Sequence, residues 1–173
     1  MTAAPPLPED QHLCTRCGMC CDGTLFEYVE VDESERQQVE GLFTLLPGAK
    51  GPVFHQPCPH AVNQRCMVYE SRPETCRKFR CRTLIALDSG EITAHEAARR
   101  VDEALQARET VRPLLLDDET MHQARQRRAA IAAEPARAMD SMAFVLKLTA
   151  LDMMLDKYFR KQGKTMIRQE NFD

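Results

Sequence analysis

No cysteine follows Cys81, no apolar run is long enough to cross a membrane, and no surplus of basic charge is present. Each absence removes a class of function. A formal charge of -3 supplies no field able to hold a phosphate backbone, so nucleic acid is not an expected partner. The most apolar stretch, Met142 to Leu155, is interrupted by Lys147, Thr149 and Asp152. It falls short of the roughly 20 residues a span requires, so it is expected to be a core helix and no membrane partner is expected. Met1 to Leu13 has neither a basic n-region nor an apolar h-region, and a cytoplasmic protein is expected. Internal repeats, low-complexity tracts and a glycine-rich nucleotide loop are also missing.

What is present is sulfur, concentrated at one end. All eight cysteines lie in the first 81 of 173 residues, and four stand as Cys14-x-x-Cys17-x-x-Cys20-Cys21. Cys58, Cys66, Cys76 and Cys81 complete the set. In a reducing cytosol thiols are kept apart, so eight cysteines in a chain without a signal read as metal ligands before they read as disulfides. Were the chain exported, the same residues could form four bridges.

The expected fold class is α+β, mostly α: a small irregular, metal-organised cysteine module with short strands, packed on a bundle of about three helices. Residues 1–11, with Pro5, Pro6 and Pro8, are expected to be a mobile N-terminal segment, and the fold to begin near His12. Residues 12–83 form the cysteine module and 84–173 the helical region. Thr24 to Val31 alternates in the manner of one short strand. A helix capped by Asp32 or Ser34 then runs through Val39, Leu42, Phe43 and Leu46 and stops at Pro47-Gly48. Gly51 to Tyr69 reads as loops with strand-like pieces at Val53-Phe54 and Cys66 to Tyr69, and Asn63-Gln64-Arg65 is turn-like.

Further on, Thr93-x-x-Glu96 predicts a capping box opening a helix to about Glu109. Asp117 to Ala133 predicts a second helix, opened by Asp117, Asp118 and Glu119, and Ala136 to Lys161 a third. The third carries two apolar stripes, one through Phe144, Leu148, Leu151, Leu155 and Tyr158, the other through Met139, Ala143, Leu146, Ala150 and Met153. Apolar surface on both implies burial on two sides, against the module or in a dimer.

Thiolates suit soft and borderline metals, and a Cys-x-x-Cys pair brings two sulfurs together from one tight turn, which Gly18 supports by tolerating positive φ. Three cysteines at two-residue intervals match the opening of the bacterial [4Fe-4S] run, with Cys58-Pro59 as a remote fourth ligand, although the usual x3-Cys-Pro ending is absent. Zinc prefers closed sets of four thiolates, and eight cysteines divide into two such sets, one of them pairing Cys20 or Cys21 with the later trio. A thioredoxin-like reading lacks its βαβ context, and no Cys-x-x-Cys is followed by the histidine of haem attachment. His55 and His60 flank Cys58 as substitute ligands, whereas His12, His95 and His122 read as surface residues.

The block Cys66-Met-Val-Tyr69-Glu-Ser-Arg72-Pro73-Glu-Thr-Cys76-Arg77-Lys-Phe79-Arg-Cys81, taken with Cys14-x-x-Cys17-Gly-x-Cys20-Cys21 and Cys58, resembles the YkgJ-type cysteine-cluster (CxxCxxCC) proteins over residues 14 to 83. That family is described as a zinc- or iron-chelating domain, so the resemblance implies metal ligation by Cys14, Cys17, Cys20, Cys21, Cys58, Cys66, Cys76 and Cys81. Tyr69, Arg72, Pro73, Cys76 and Arg77 are also similar to a block of the iron-sulfur flagellin lysine methylases, which tilts the metal toward iron without transferring the methylase activity. Arg72 and Arg77 bring cations beside an anionic site or pair with Glu70 and Glu74. Tyr69 and Phe79 are expected to shield sulfur from water.

The favoured expectation is therefore an iron-sulfur cluster, [4Fe-4S], in a redox or cluster-dependent protein with a protein partner or substrate. Its rivals are a non-catalytic zinc module that presents helices to a protein partner, and a redox enzyme using free cysteines. No catalytic residue is singled out, and the sequence leaves enzyme status and oligomeric state open.

Overall fold

Glu9–Cys17 forms the first helix, α1, and the chain leaves it at Gly18 with φ +64°, a left-handed turn that glycine enters without a Cβ penalty. The computed structural model of the protein describes residues 9–134 and 141–161. Pro5, Pro6 and Pro8 lie outside them. The helix starts ahead of the expected His12 and carries Cys14 and Cys17 on its last turn, where a tight turn had been anticipated. Residues three apart neighbour each other in either geometry, so the spacing reads alike in both.

A three-stranded antiparallel sheet follows, ordered β1-β3-β2, from Tyr28–Glu30 (β1), Leu46–Gly48 (β2) and Gly51–His55 (β3). Val29 lies opposite Phe54, and Leu46 opposite Val53. The strand expected over Thr24 to Val31 is thus shortened. Its first residues are drawn inward: Leu25 donates its N–H to the Met19 carbonyl at 3.0 Å, and Thr24 to the Asp22 carboxylate at 2.8 Å. The helix expected through Leu46 is likewise cut to a 3-10 turn at Glu33–Glu35, capped by Asp32, and one α turn, Arg36–Val39 (α2). Sheet pairing claims Leu46 to Gly48 instead, after Gly41 has interrupted the helix. Val29, Val31, Val39, Phe43 and Phe54 make a small core of their own, with the Phe43 and Phe54 rings stacked 4.1 Å apart.

Ala61–Val62 (β4) and Arg65–Cys66 (β5) form a hairpin through Asn63 and Gln64, both at positive φ, the signature of a two-residue type I′ turn. The strand ends at Cys66 rather than Tyr69, and Tyr69–Ser71 is a 3-10 turn. Glu74–Lys78 (α3) and Arg82–Asp88 (α4) then lead into the helical part.

Three long helices dominate it: Ala94–Val111 (α5), Met121–Ala132 (α6) and Met142–Tyr158 (α7). Thr93 caps α5 by accepting from the Glu96 N–H at 3.1 Å, while the Glu96 carboxylate turns to Arg99 and Arg100. The complete capping box is at α6, between Thr120 and Gln123. Asp117, Asp118 and Glu119 therefore precede this helix instead of opening it, and the Glu119 carboxylate grips Arg127 at 2.6 Å. Buried Ala97, Val101 and Ala104 on α5 meet Leu148, Leu151 and Leu155 on α7, with small side chains allowing close helix approach. The second α7 stripe is not covered among the described residues: Leu146 is 60% exposed and Met153 61%. Met139 lies outside the described residues. The architecture is α+β and mostly α, with seven α-helices among the described residues and short antiparallel strands.

Candidate metal centre

None of the eight cysteines is joined in a disulfide. Cys14 and Cys17 sit one helical turn apart on α1, Cys20 follows the Gly18 turn, and α4, which packs against α1, is N-capped by Cys81. Cys17 belongs to the main hydrophobic core, and Cys20 and Cys81, partly buried, pack against it. The remaining four gather on the other side of the Cys20–Cys21 peptide. The Cys58 N–H donates to the Cys21 carbonyl at 2.7 Å, the Cys58 carbonyl accepts from Ala61 at 3.1 Å, and Ala61 faces Cys66 across the hairpin. Cys58 and Cys76 pack on the small sheet core.

Electrostatics divides the cysteines the same way. Burial pushes the Cys17 thiol up to about 12, aided by Cys81 and Cys14. Cys20 is raised by burial and then by Cys17, Cys81, Cys21 and Cys14. Burial pushes Cys21 up to about 12, aided by Cys58, Cys76 and Cys66, and Cys76 up to about 11, aided by Cys58 and Cys66. Only the adjacent Cys20 and Cys21 repel across the boundary in these shifts. Buried thiolates crowded by other thiolates need a cation, and the donor set fits a borderline-soft metal or an iron-sulfur cluster.

Backbone donors already face several sulfurs. The Leu84 N–H reaches Cys81 Sγ at 3.4 Å, the Met19 N–H supports Cys17, and those of His60 and Ala61 support Cys58. Such bonds favour thiolate and tune a bound metal. Among the described residues, however, no three cysteine, histidine or carboxylate side chains stand in position to hold a metal ion. Each quartet is a neighbourhood, and its sulfurs would have to move closer together to share a metal.

The flanking residues take varied roles. His60 donates Nε2–H to the Leu42 carbonyl at 2.6 Å and stands edge-on to Phe43, so this ring nitrogen serves the small core. His55 is exposed beside Tyr28. His122 is more than a surface residue, since its Nε2 lies 3.0 Å from Glu27 and ties α6 to the module. The Arg72 guanidinium covers the Tyr69 ring at 3.6 Å and draws the Cys76 thiol downward against the larger effect of burial. Arg77 donates to the Arg72 and Glu70 carbonyls, not to the Glu70 carboxylate. Phe79 meets Phe26 edge-on at 4.7 Å.

Two contributors escaped sequence reasoning. Gln64, at the hairpin tip, sets its amide 3.1 Å from both the Thr15 and Arg16 carbonyls, so that with its nitrogen facing them it donates to both and satisfies carbonyls at the end of α1. A Cβ on Gly18 would come 2.9 Å from Gln64 Cγ. The hairpin bearing Cys66 is thereby strapped to the turn between Cys17 and Cys20. Glu35 accepts from the Glu74 N–H at 2.9 Å and holds the start of α3, which carries Cys76. Only the turn-like Asn63-Gln64 pair could have hinted at either.

A family model described as "putative zinc- or iron-chelating domain" matches residues 13–100, half of the chain. The chain belongs to the CxxCxxCC family. Among curated proteins and solved structures nothing matches significantly. The CxxCxxCC match contains all eight cysteines and ends within α5. No helix of the described residues is long and apolar enough to cross a membrane.

Proposed function

We propose that this CxxCxxCC protein is a cytosolic metal-binding protein in which Cys14, Cys17, Cys20, Cys21, Cys58, Cys66, Cys76 and Cys81 ligate iron-sulfur, favoured as [4Fe-4S], in a redox or cluster-dependent role. The observation that carries the reading is the set of eight cysteines, none joined in a disulfide and most of them raised by burial and mutual repulsion. Metal coordination removes that penalty by stabilising thiolate. The Cys14-x-x-Cys17-x-x-Cys20 spacing supports iron-sulfur over zinc, while the N–H donors at Cys17, Cys58 and Cys81 would support thiolate ligands of either. When bound, a cluster would supply electron transfer or Lewis acidity. The chain's own part is to shield it with Tyr69, Phe79 and Phe26 and to offset its charge with Arg72.

A substrate would have room beside the second quartet. Asp22 and Pro57, the neighbours of Cys21 and Cys58, line a cleft of about 270 Å³ with Arg108, Arg112, Asp118 and Met121.

The second reading is a structural zinc module presenting helices to a protein partner, and it is favoured by the exposed Met142, Leu146 and Met153 stripe on α7. Anaerobically purified protein tests both. Brown colour with iron and acid-labile sulfide supports the first, and colourless protein containing zinc supports the second. Protein with neither metal overturns both. Cys17→Ser and Cys76→Ser should each lower bound metal, and unchanged content in both would remove the ligand assignment.

A further inference from the structure

We propose that the cysteines form two separate four-thiolate centres, one of Cys14, Cys17, Cys20 and Cys81, the other of Cys21, Cys58, Cys66 and Cys76, sharing only the Cys20–Cys21 peptide. The inference rests on the metal-binding reading and adds the ligand partition and the number of sites. Alternative groupings follow equally well from the spacing, including a single [4Fe-4S] run closed by Cys58. The fold separates them.

The first centre is a helical site. Its ligands come from the end of α1, the turn after it and the start of α4, with Cys17 inside the main core formed with α5 and α7 and Cys20 and Cys81 packed against that core. The second is a loop-and-sheet site. The 2.7 Å bond from the Cys58 N–H to the Cys21 carbonyl, the Ala61–Cys66 pairing and the α3 helix under Cys76 draw its ligands from the hairpin side, where Cys58 and Cys76 contact the small sheet core.

Cys20 and Cys21 are successive residues, so their Cα atoms are about 3.8 Å apart while their side chains serve different cores. Cys20 packs against the main core, and Cys21 is tied by its carbonyl to Cys58. A run ending in two adjacent cysteines is what this division requires, since one residue then closes each site. Gln64 ties the two halves from outside, with its side chain on the end of α1 and its backbone in the hairpin that carries Cys66.

The test measures iron, acid-labile sulfide and zinc in anaerobically purified wild type, Cys81→Ser, Cys66→Ser and the double variant, with iodoacetamide protection of each remaining cysteine mapped by mass spectrometry. Expected is a loss of about half the metal in each single variant and nearly all in the double. Cys66→Ser should expose Cys21, Cys58 and Cys76 to alkylation while Cys14, Cys17, Cys20 and Cys81 stay protected, and Cys81→Ser should do the converse. If Cys81→Ser loses its helical circular dichroism, Cys14→Ser, at an exposed position, replaces it. Loss of all metal, or of protection in both quartets, in a folded single variant overturns the partition but leaves metal binding standing. Metal-free wild type overturns metal binding and the partition with it.

Discussion

The Arg125 guanidinium grips the Asp152 carboxylate with Nε 3.0 Å from Oδ1 and Nη2 2.8 Å from Oδ1, while Nη2 also donates to the Thr24 carbonyl at 2.7 Å. One buried arginine thus joins α6, α7 and the loop just after the cysteine run. Arg128 and Arg160 complete the cluster, 3.0 and 3.1 Å from the same carboxylate, which is fully buried. Arg108 makes a parallel link from α5 to Asp22, beside Cys21.

Removing the shared carboxylate leaves three cations in a poorly solvated seam, whereas removing one arginine leaves Asp152 still paired. Asp152→Ala should therefore destabilise by about 3–5 kcal/mol, the usual cost of breaking a buried pair, and Arg128→Ala by clearly less. Urea midpoints of the two variants check the order. A cost for Asp152→Ala no greater than for Arg128→Ala would refute it.

Burial raises the Asp152 carboxyl, but Arg125, Arg160 and Arg128 together outweigh it and hold the group below its ordinary value. In the pH range between the folded and the unfolded pKa, the unfolded chain binds more protons, so stability rises with pH there. The contribution is complete above roughly pH 4, the unperturbed Asp value, and is lost as pH falls through the folded pKa. Thermal melts between pH 2 and 5 should show a steeper loss for wild type than for Asp152→Asn. Equal slopes would mean that Asp152 is not linked to folding.

Gly18 and Gly90 provide an internal comparison. Both have positive φ, +64° and +73°, but a Cβ at Gly90 meets nothing within 4 Å while one at Gly18 meets Gln64 Cγ at 2.9 Å. Gly90→Ala should cost only the left-handed strain, about 1–2 kcal/mol. Gly18→Ala should cost more and also lower metal content by displacing the hairpin. Gln64→Ala in the Gly18→Ala background should recover part of the loss. Denaturant titration with metal analysis reads both effects, and equal costs at the two glycines would remove the Gln64 strap.

Metal uptake should release protons. With Cys17 and Cys21 raised to about 12 and Cys76 to about 11, these thiols enter coordination protonated at neutral pH, and each ligand releases about one proton as it binds. Affinity should accordingly fall as pH falls. Zinc added to metal-free protein in weakly buffered solution at pH 7.5, followed with a pH dye, should release about four protons per ion bound. Release near zero would mean that the thiols are not the ligands.

Local patterns were legible where the interaction was local. Thr93 and the apolar spacing after it marked α5. Reading failed where distant chain competed. The helix expected through Leu46 gave way because β3 pairs with Leu46 to Gly48, and the strand expected from Thr24 gave way because Thr24 and Leu25 are drawn into the interior. On α7 both stripes have helical period, but only the Phe144, Leu148, Leu151 and Leu155 face meets the core, while Asp152 is buried because Arg125 and Arg128 from α6 and Arg160 just past the end of α7 reach it.

By itself the sequence determined the chemistry on offer: eight sulfurs confined to one half, a spacing suited to metal, a family assignment, and a helical remainder with apolar periodicity. Those properties reside in residue types and short separations, which survive without a fold. Tertiary structure alone decided which sulfurs are neighbours, that Gln64 holds the cysteine turn, and that Arg125 joins the module to the helices. Such relationships depend on which surfaces of distant segments pack together, and linear spacing carries no record of that.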